Sequence, residues 1–71
     1  GYTAAKKDAA LDDLSIKEFK KNMAAWKFFE TQPPGYRKNV AWWIVTAKQA
    51  ETRERRLRML IDASVARQRL F

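Results

Sequence analysis

Seventy-one residues suffice for one domain, and without cysteine or histidine that domain has no disulfide, no thiolate chemistry and no ordinary zinc site to brace it. Apolar residues make up 46% of the chain and nine residues are aromatic, three of them Trp. That composition excludes an intrinsically disordered protein and requires efficient packing of a small core. The formal charge is +7 and sits mostly in the second half. Residues 1–33 hold six lysines against five acids, whereas residues 34–71 hold nine Lys or Arg, seven of them Arg, against three acids. Such a field favours anionic partners, whether nucleic acid, acidic protein or anionic lipid.

The longest apolar run, Val40 to Val45, has six residues. A membrane-spanning helix needs about twenty. The N-terminus lacks the apolar stretch of a signal peptide. The absence of cysteine fits a reducing compartment, so a cytoplasmic location is expected. The chain begins with Gly1, which suggests a piece of a longer protein.

Residues 1–14 are rich in Ala, Lys and Asp with little periodicity and read as a flexible tail or linker. Residues 15–71 read as the folded domain. Ser15-Ile16-Lys17-Glu18 has the pattern of a capping box, with Leu14 and Phe19 at the positions of a hydrophobic staple. A short first helix is predicted from Ser15 to Lys21. Asn22 is a good N-cap, so a second short helix is expected from Met23 to Thr31, with one continuous helix through Asn22 as the open alternative. Ala25, Phe28 and Phe29 are its apolar residues, with Trp26 beside them.

Pro33-Pro34 ends that helix, and Pro34 can open the next one, where a missing N–H costs nothing. The third helix is predicted to run to Lys48, with Tyr36, Val40, Trp43, Ile44 and Ala47 forming its inner stripe. The fourth spans Ala50 to Arg67 with Leu57, Leu60, Ile61 and Val65 on its core face. Glu51 with Arg55, Glu54 with Arg58, and Arg58 with Asp62 are i, i+4 pairs of opposite charge. No strand-like alternation, glycine-rich loop or repeat occurs. The expected fold is therefore all-α: a small bundle of three to four helices, two short ones leading into two longer antiparallel ones.

The cluster richest in chemistry is Glu51 to Arg58. Arg53 falls within the core stripe of the fourth helix and Arg56 on its edge, while Arg55 and Arg58 point outward. An arginine aimed at a core must find acceptors, because a buried unpaired charge is costly. Two readings follow for Arg53. It clamps the end of the third helix or a carboxylate such as Glu30, or it builds an anion site with Arg56 and Lys48. Arg55 and Arg58 read as a solvated face or as a phosphate-contacting stripe extended by Arg37, Lys38, Arg67 and Arg69. Trp43, at the stripe centre, belongs to the core. Trp42 lies about 100° from it and is the best aromatic candidate for a partner surface. The acids form no catalytic pair, and Ser15 and Ser64 have no histidine base, so a non-enzyme without cofactor or metal is expected.

From Phe28 onward the motifs form a recognisable series: Pro33-Pro34-Gly35-Tyr36-Arg37, Trp43-Ile44, Ala47-Lys48, Glu51-Thr52-Arg53 and Arg55-Arg56. The series resembles the C-terminal helical domain of the YdeI/OmpD-associated (bacteriocin-protection) family, over residues 14–66. Three positions depart from the family pattern: Gln32 for the usual Leu, Ala50 for a frequent Pro, and a tail after Ser64 without the usual Gly. The resemblance implies a module of a larger bacterial protein linked to tolerance of bacteriocins or cationic peptides, and it brings no catalytic residues. It thus points to a helical interaction or accessory domain acting on an unknown protein partner or on its own upstream domain. Nucleic-acid binding through the Arg-rich last helix is the alternative. Direct capture of cationic peptides is disfavoured, because like charges repel. The candidate partner or anion-binding residues are Arg37, Lys38, Trp42, Lys48, Arg53, Arg55, Arg56 and Arg58.

Overall fold

The computed structural model describes residues 11–70, which form four helices and no strand. They are α1 (Asp13–Lys20), α2 (Met23–Glu30), α3 (Pro34–Val45) and α4 (Ala50–Val65). Residues 1–10 of the expected tail lie outside the described residues. Of residues 11–14, Asp13 and Leu14 belong to α1, and Leu11 is buried in the core.

The start of α1 differs from the capping box read in the sequence. The N-cap is Asp12, whose side-chain oxygen accepts from the Ser15 backbone N–H at 2.7 Å. Ser15 sits inside the first turn, and the Glu18 carboxylate pairs with Lys21 Nζ at 3.0 Å. Asp and Ser cap about equally well, but a carboxylate adds attraction to the positive end of the helix dipole. The shift in the cap also removes the staple: Leu14 becomes helical and is 79% exposed, while Phe19 is fully buried.

Asn22 does break the leading segment. Its backbone is extended (φ −114°, ψ 90°), and its side chain accepts from the Ala25 N–H at 3.3 Å. The turn lets α2 fold back so that Phe19, Trp26 and Phe29 meet. Phe19 lies edge-on to Trp26 at 5.3 Å between centroids and 5.1 Å from Phe29. Tyr36 of α3 extends this cluster, 6.5 Å from Phe29.

Pro34 opens α3 as expected, but the helix stops at Val45 rather than at Lys48. Thr46 caps it, and its hydroxyl donates to the Trp42 carbonyl. This local bond competes with helix continuation. Ala47 still turns inward and is buried. The chain then extends through Gln49 (φ −97°, ψ 138°) into α4.

Helix α4 packs against both α2 and α3, and α1 against α2. Phe19, Val40, Ile44 and Leu60 are the large apolar side chains with almost no exposure. Tyr36 and Trp43 are half-buried and pack against that core. Val65, expected on the core face, is instead 52% exposed, and Ser64 takes the inner position at 1%. At about 100° per residue, Ser64 lies on the line of Leu57 and Leu60, whereas Val65 is roughly 110° from its centre. Helix α4 also ends at Val65 rather than Arg67. Arg67 adopts the left-handed conformation (φ 59°). Its N–H donates to the Ser64 carbonyl, and Gln68 N–H donates to the Ala63 carbonyl at 2.8 Å, a Schellman closure.

Candidate functional site

The structure divides the candidate arginines into two groups. The first comprises Arg53 and Arg56, which turn back onto the end of α3. Arg53 Nη1 donates to the carbonyls of Ala47 at 2.8 Å and Lys48 at 3.2 Å. Arg56 Nη1 donates to the Trp43 carbonyl at 2.7 Å, and its guanidinium lies 4.8 Å from the Trp43 ring centroid. The last carbonyls of a helix have no partner within it and carry the negative end of its dipole. A flat five-donor guanidinium can bond such carbonyls and stack on an indole at once, which lysine cannot do. Arg53 therefore clamps the turn that follows α3, at Ala47 and Lys48, rather than Glu30. Placing Lys48 beside it does not bring the Lys48 side chain inward, since Lys48 is exposed.

The second group faces outward. Arg55 and Arg58 are exposed on α4. Their i, i+4 acids do not neutralise them by contact: among the described residues, the charge pair within 4 Å is Lys21 with Glu18. Lys38 on α3 is exposed, and Trp42 is 40% exposed. Arg37 is half-buried, with Nε donating to the Gln32 carbonyl at 3.1 Å.

Between α1 and α4 runs an open cleft of about 930 Å³. Leu14, Leu57 and Ile61 give it an apolar floor, and its rim carries both signs of charge, with Arg58 beside Glu54 and Asp62. Among the described residues, no group of acidic side chains could hold a metal ion, and no helix is long and apolar enough to cross a membrane.

A further set of residues escaped sequence reasoning. The segment after α4 folds back over the start of α3. Arg69 Nε donates to Gln32 Oε1 at 2.8 Å, its guanidinium lies 5.7 Å from the Tyr36 ring, and the Tyr36 hydroxyl accepts from Leu70 N–H at 3.0 Å. With Arg56 on Trp43 at the other end, these contacts fix α3 and α4 as antiparallel neighbours.

The arginine clamp and the Pro34 start of α3 are built from the motif residues that carried the family resemblance. The family model described as bacteriocin-protection, YdeI or OmpD-associated matches residues 8–66. The chain belongs to this family. The match closes at Ala66, the C-cap of α4, so the bacteriocin-protection unit comprises all four helices. Arg69 and Leu70 lie beyond the matched residues, whereas their partners Gln32 and Tyr36 lie within them. No curated protein and no solved structure is similar enough to the chain to be matched with it.

Proposed function

We propose that this domain is a non-enzymatic interaction or accessory module of a bacterial protein that protects against bacteriocins or antimicrobial peptides, working in the cytoplasm. The division of the arginines carries this reading. Arg56 is spent on an α3 carbonyl and Arg53 on the turn after α3, whereas Arg55 and Arg58 remain exposed. The motif thereby builds a rigid helical hairpin and leaves cations, with Lys38 and Trp42, on its outside. Exposed cations and a large aromatic are the residue types that anchor partner surfaces. Membership of a bacteriocin-protection family supplies the process.

The reading is tested in bacteria that produce the parent protein under bacteriocin challenge. The pair Arg55→Glu and Arg58→Glu is expected to lower survival while the domain's melting temperature stays within a few degrees. Unchanged survival would refute a role for this face. The alternative, phosphate-backbone binding, is supported by the same two exposed arginines. It requires affinity for duplex DNA or RNA that falls steeply between about 50 and 200 mM salt. Failure to bind either at low salt excludes it.

A further inference from the structure

A second recess lies on the other side of the molecule, where α1, α2 and α3 converge. Its volume is about 230 Å³. Leu11, Ile16, Trp26, Phe29, Pro34 and Ala41 supply its apolar surface, and Arg37 and Lys38 complete it. The cavity is smaller than the roughly 300–1,000 Å³ of a typical small-molecule cleft, and its size suits one large side chain.

The charge that lines it has one sign. Both charged lining residues are cations and none is acidic. A third cation adjoins it, since Lys20 Nζ sits 5.3 Å from the centroid of the Trp26 ring. Arg37 is held by its Nε bond to the Gln32 carbonyl, so its position is fixed before any partner arrives. Its terminal nitrogens make no hydrogen bond or ion pair among the described residues. A guanidinium fixed in advance and still open at two nitrogens is suited to a carboxylate and loses little entropy in binding it.

We infer that this recess is a docking site for an acidic peptide segment, which inserts one aromatic or large aliphatic side chain between Trp26, Phe29 and Ala41 and sets its carboxylates on Arg37 and Lys38. The apolar anchor supplies affinity and the carboxylates supply orientation and register, the usual division at a helix-in-groove contact. This rests on the reading of the domain as an interaction module and names the chemistry of its partner.

The test uses fluorescence anisotropy with a fluorescein-labelled peptide of glutamates around a single phenylalanine, and a second peptide with alanine in place of the phenylalanine. The protein is used as the full chain, unsubstituted and as two charge-reversed variants. Lys38→Glu alters the recess, and Lys27→Glu makes the same change at an exposed site on α2 that does not line it. Circular dichroism melts confirm that both variants are folded. The phenylalanine peptide is expected to bind, with affinity lowered about tenfold or more by Lys38→Glu and by loss of the phenylalanine, but only about twofold by Lys27→Glu. Equal affinity for the two peptides, or equal loss from the two charge reversals, would reduce the binding to non-specific charge attraction and overturn the proposal. So would absence of binding, or preference for a DNA duplex over the phenylalanine peptide. The survival test on Arg55 and Arg58 stands apart from these outcomes, so the docking site can fail while the interaction module holds.

Discussion

Gln32 Oε1 accepts a hydrogen bond from Arg69 Nε at 2.8 Å, although 37 residues separate the two in the chain. Gln32 precedes the Pro34 start of α3, and Arg69 follows the Schellman closure of α4. The bond ties these two ends of the α3–α4 hairpin together. A double-mutant cycle of Gln32→Leu and Arg69→Ala is expected to give a coupling of about 0.5–1 kcal/mol, the range for a solvent-accessible hydrogen bond with one charged partner. Urea unfolding of the four proteins measures it. Additive effects would mean that the two side chains act independently.

The clamp makes a sharper claim about stability. Arg53→Ala strips hydrogen bonds from carbonyls in the turn after α3, Arg56→Ala strips one from the last turn of α3, and Arg56→Ala also uncovers the Trp43 ring. Each is expected to cost about 1–3 kcal/mol, a drop of several degrees in Tm for a domain this size. Arg55→Ala, on the exposed face, is expected to stay within about 0.5 kcal/mol. Arg56→Lys is expected to recover only part of the loss, because an ammonium cannot both stack and reach as the guanidinium does. Matching Tm values for the Arg53 and Arg55 variants would contradict the clamp.

The N-cap of α1 sets a pH dependence. Hydrogen bonds from the Ser15 backbone and then its side chain hold the Asp12 carboxyl below its ordinary value of 3.8, and the charge of Arg53 adds to this. A depressed folded-state pKa means that the carboxylate stabilises the fold above the unfolded value. That stability is lost as pH falls from there through the folded-state pKa. Asp12→Ala is expected to lower stability by about 0.5–2 kcal/mol at neutral pH, and the difference from the parent is expected to shrink below pH of about 4. Thermal melts across that range provide the check. A difference that persists in acid would assign the effect to something other than the ionised cap.

Ser64 is buried and its hydroxyl has no hydrogen-bond partner among the described residues. An unsatisfied buried hydroxyl is destabilising, so Ser64→Ala is expected to raise stability by up to about 1 kcal/mol. A loss on substitution, read by chemical denaturation, would show that the hydroxyl is satisfied in solution.

Arg67 adopts φ 59° at the position where a Schellman closure ordinarily has glycine. An L-residue with a Cβ is disfavoured there by roughly 1–2 kcal/mol, partly offset by the greater freedom of glycine in the unfolded chain. Arg67→Gly is expected to stabilise by about 0.5–1 kcal/mol. A lower denaturation midpoint for this variant would count against the closure.

Local signals in the sequence were the legible ones. Asn22 and Pro34 define helix starts by their own chemistry, and both stand where expected. Helical geometry puts Arg53 on the inner side of α4 but leaves its acceptor open, and the structure supplies the Ala47 and Lys48 carbonyls. The cap of α1 is ambiguous in the sequence because Asp12 and Ser15 are both good caps and spacing does not rank them. Apolar spacing draws Val65 into the core face, although the angular position belongs to Ser64. Periodicity overruns the end of α3 because it continues into Ala47, which is buried in a turn. The Gln32 to Arg69 contact and the recess at Trp26 depend on residues distant in sequence, and no local pattern announces them.

The bond from Arg56 to Trp43 spans 13 residues. So short a loop closes with little loss of chain entropy, and the hairpin of α3 and α4 can therefore assemble before α1 and α2 dock. Substitutions at Arg56 are expected to slow refolding more than they speed unfolding, the reverse of substitutions at Phe19. The motif that marks the family would then act first in time, as the nucleus around which the rest of the chain collapses.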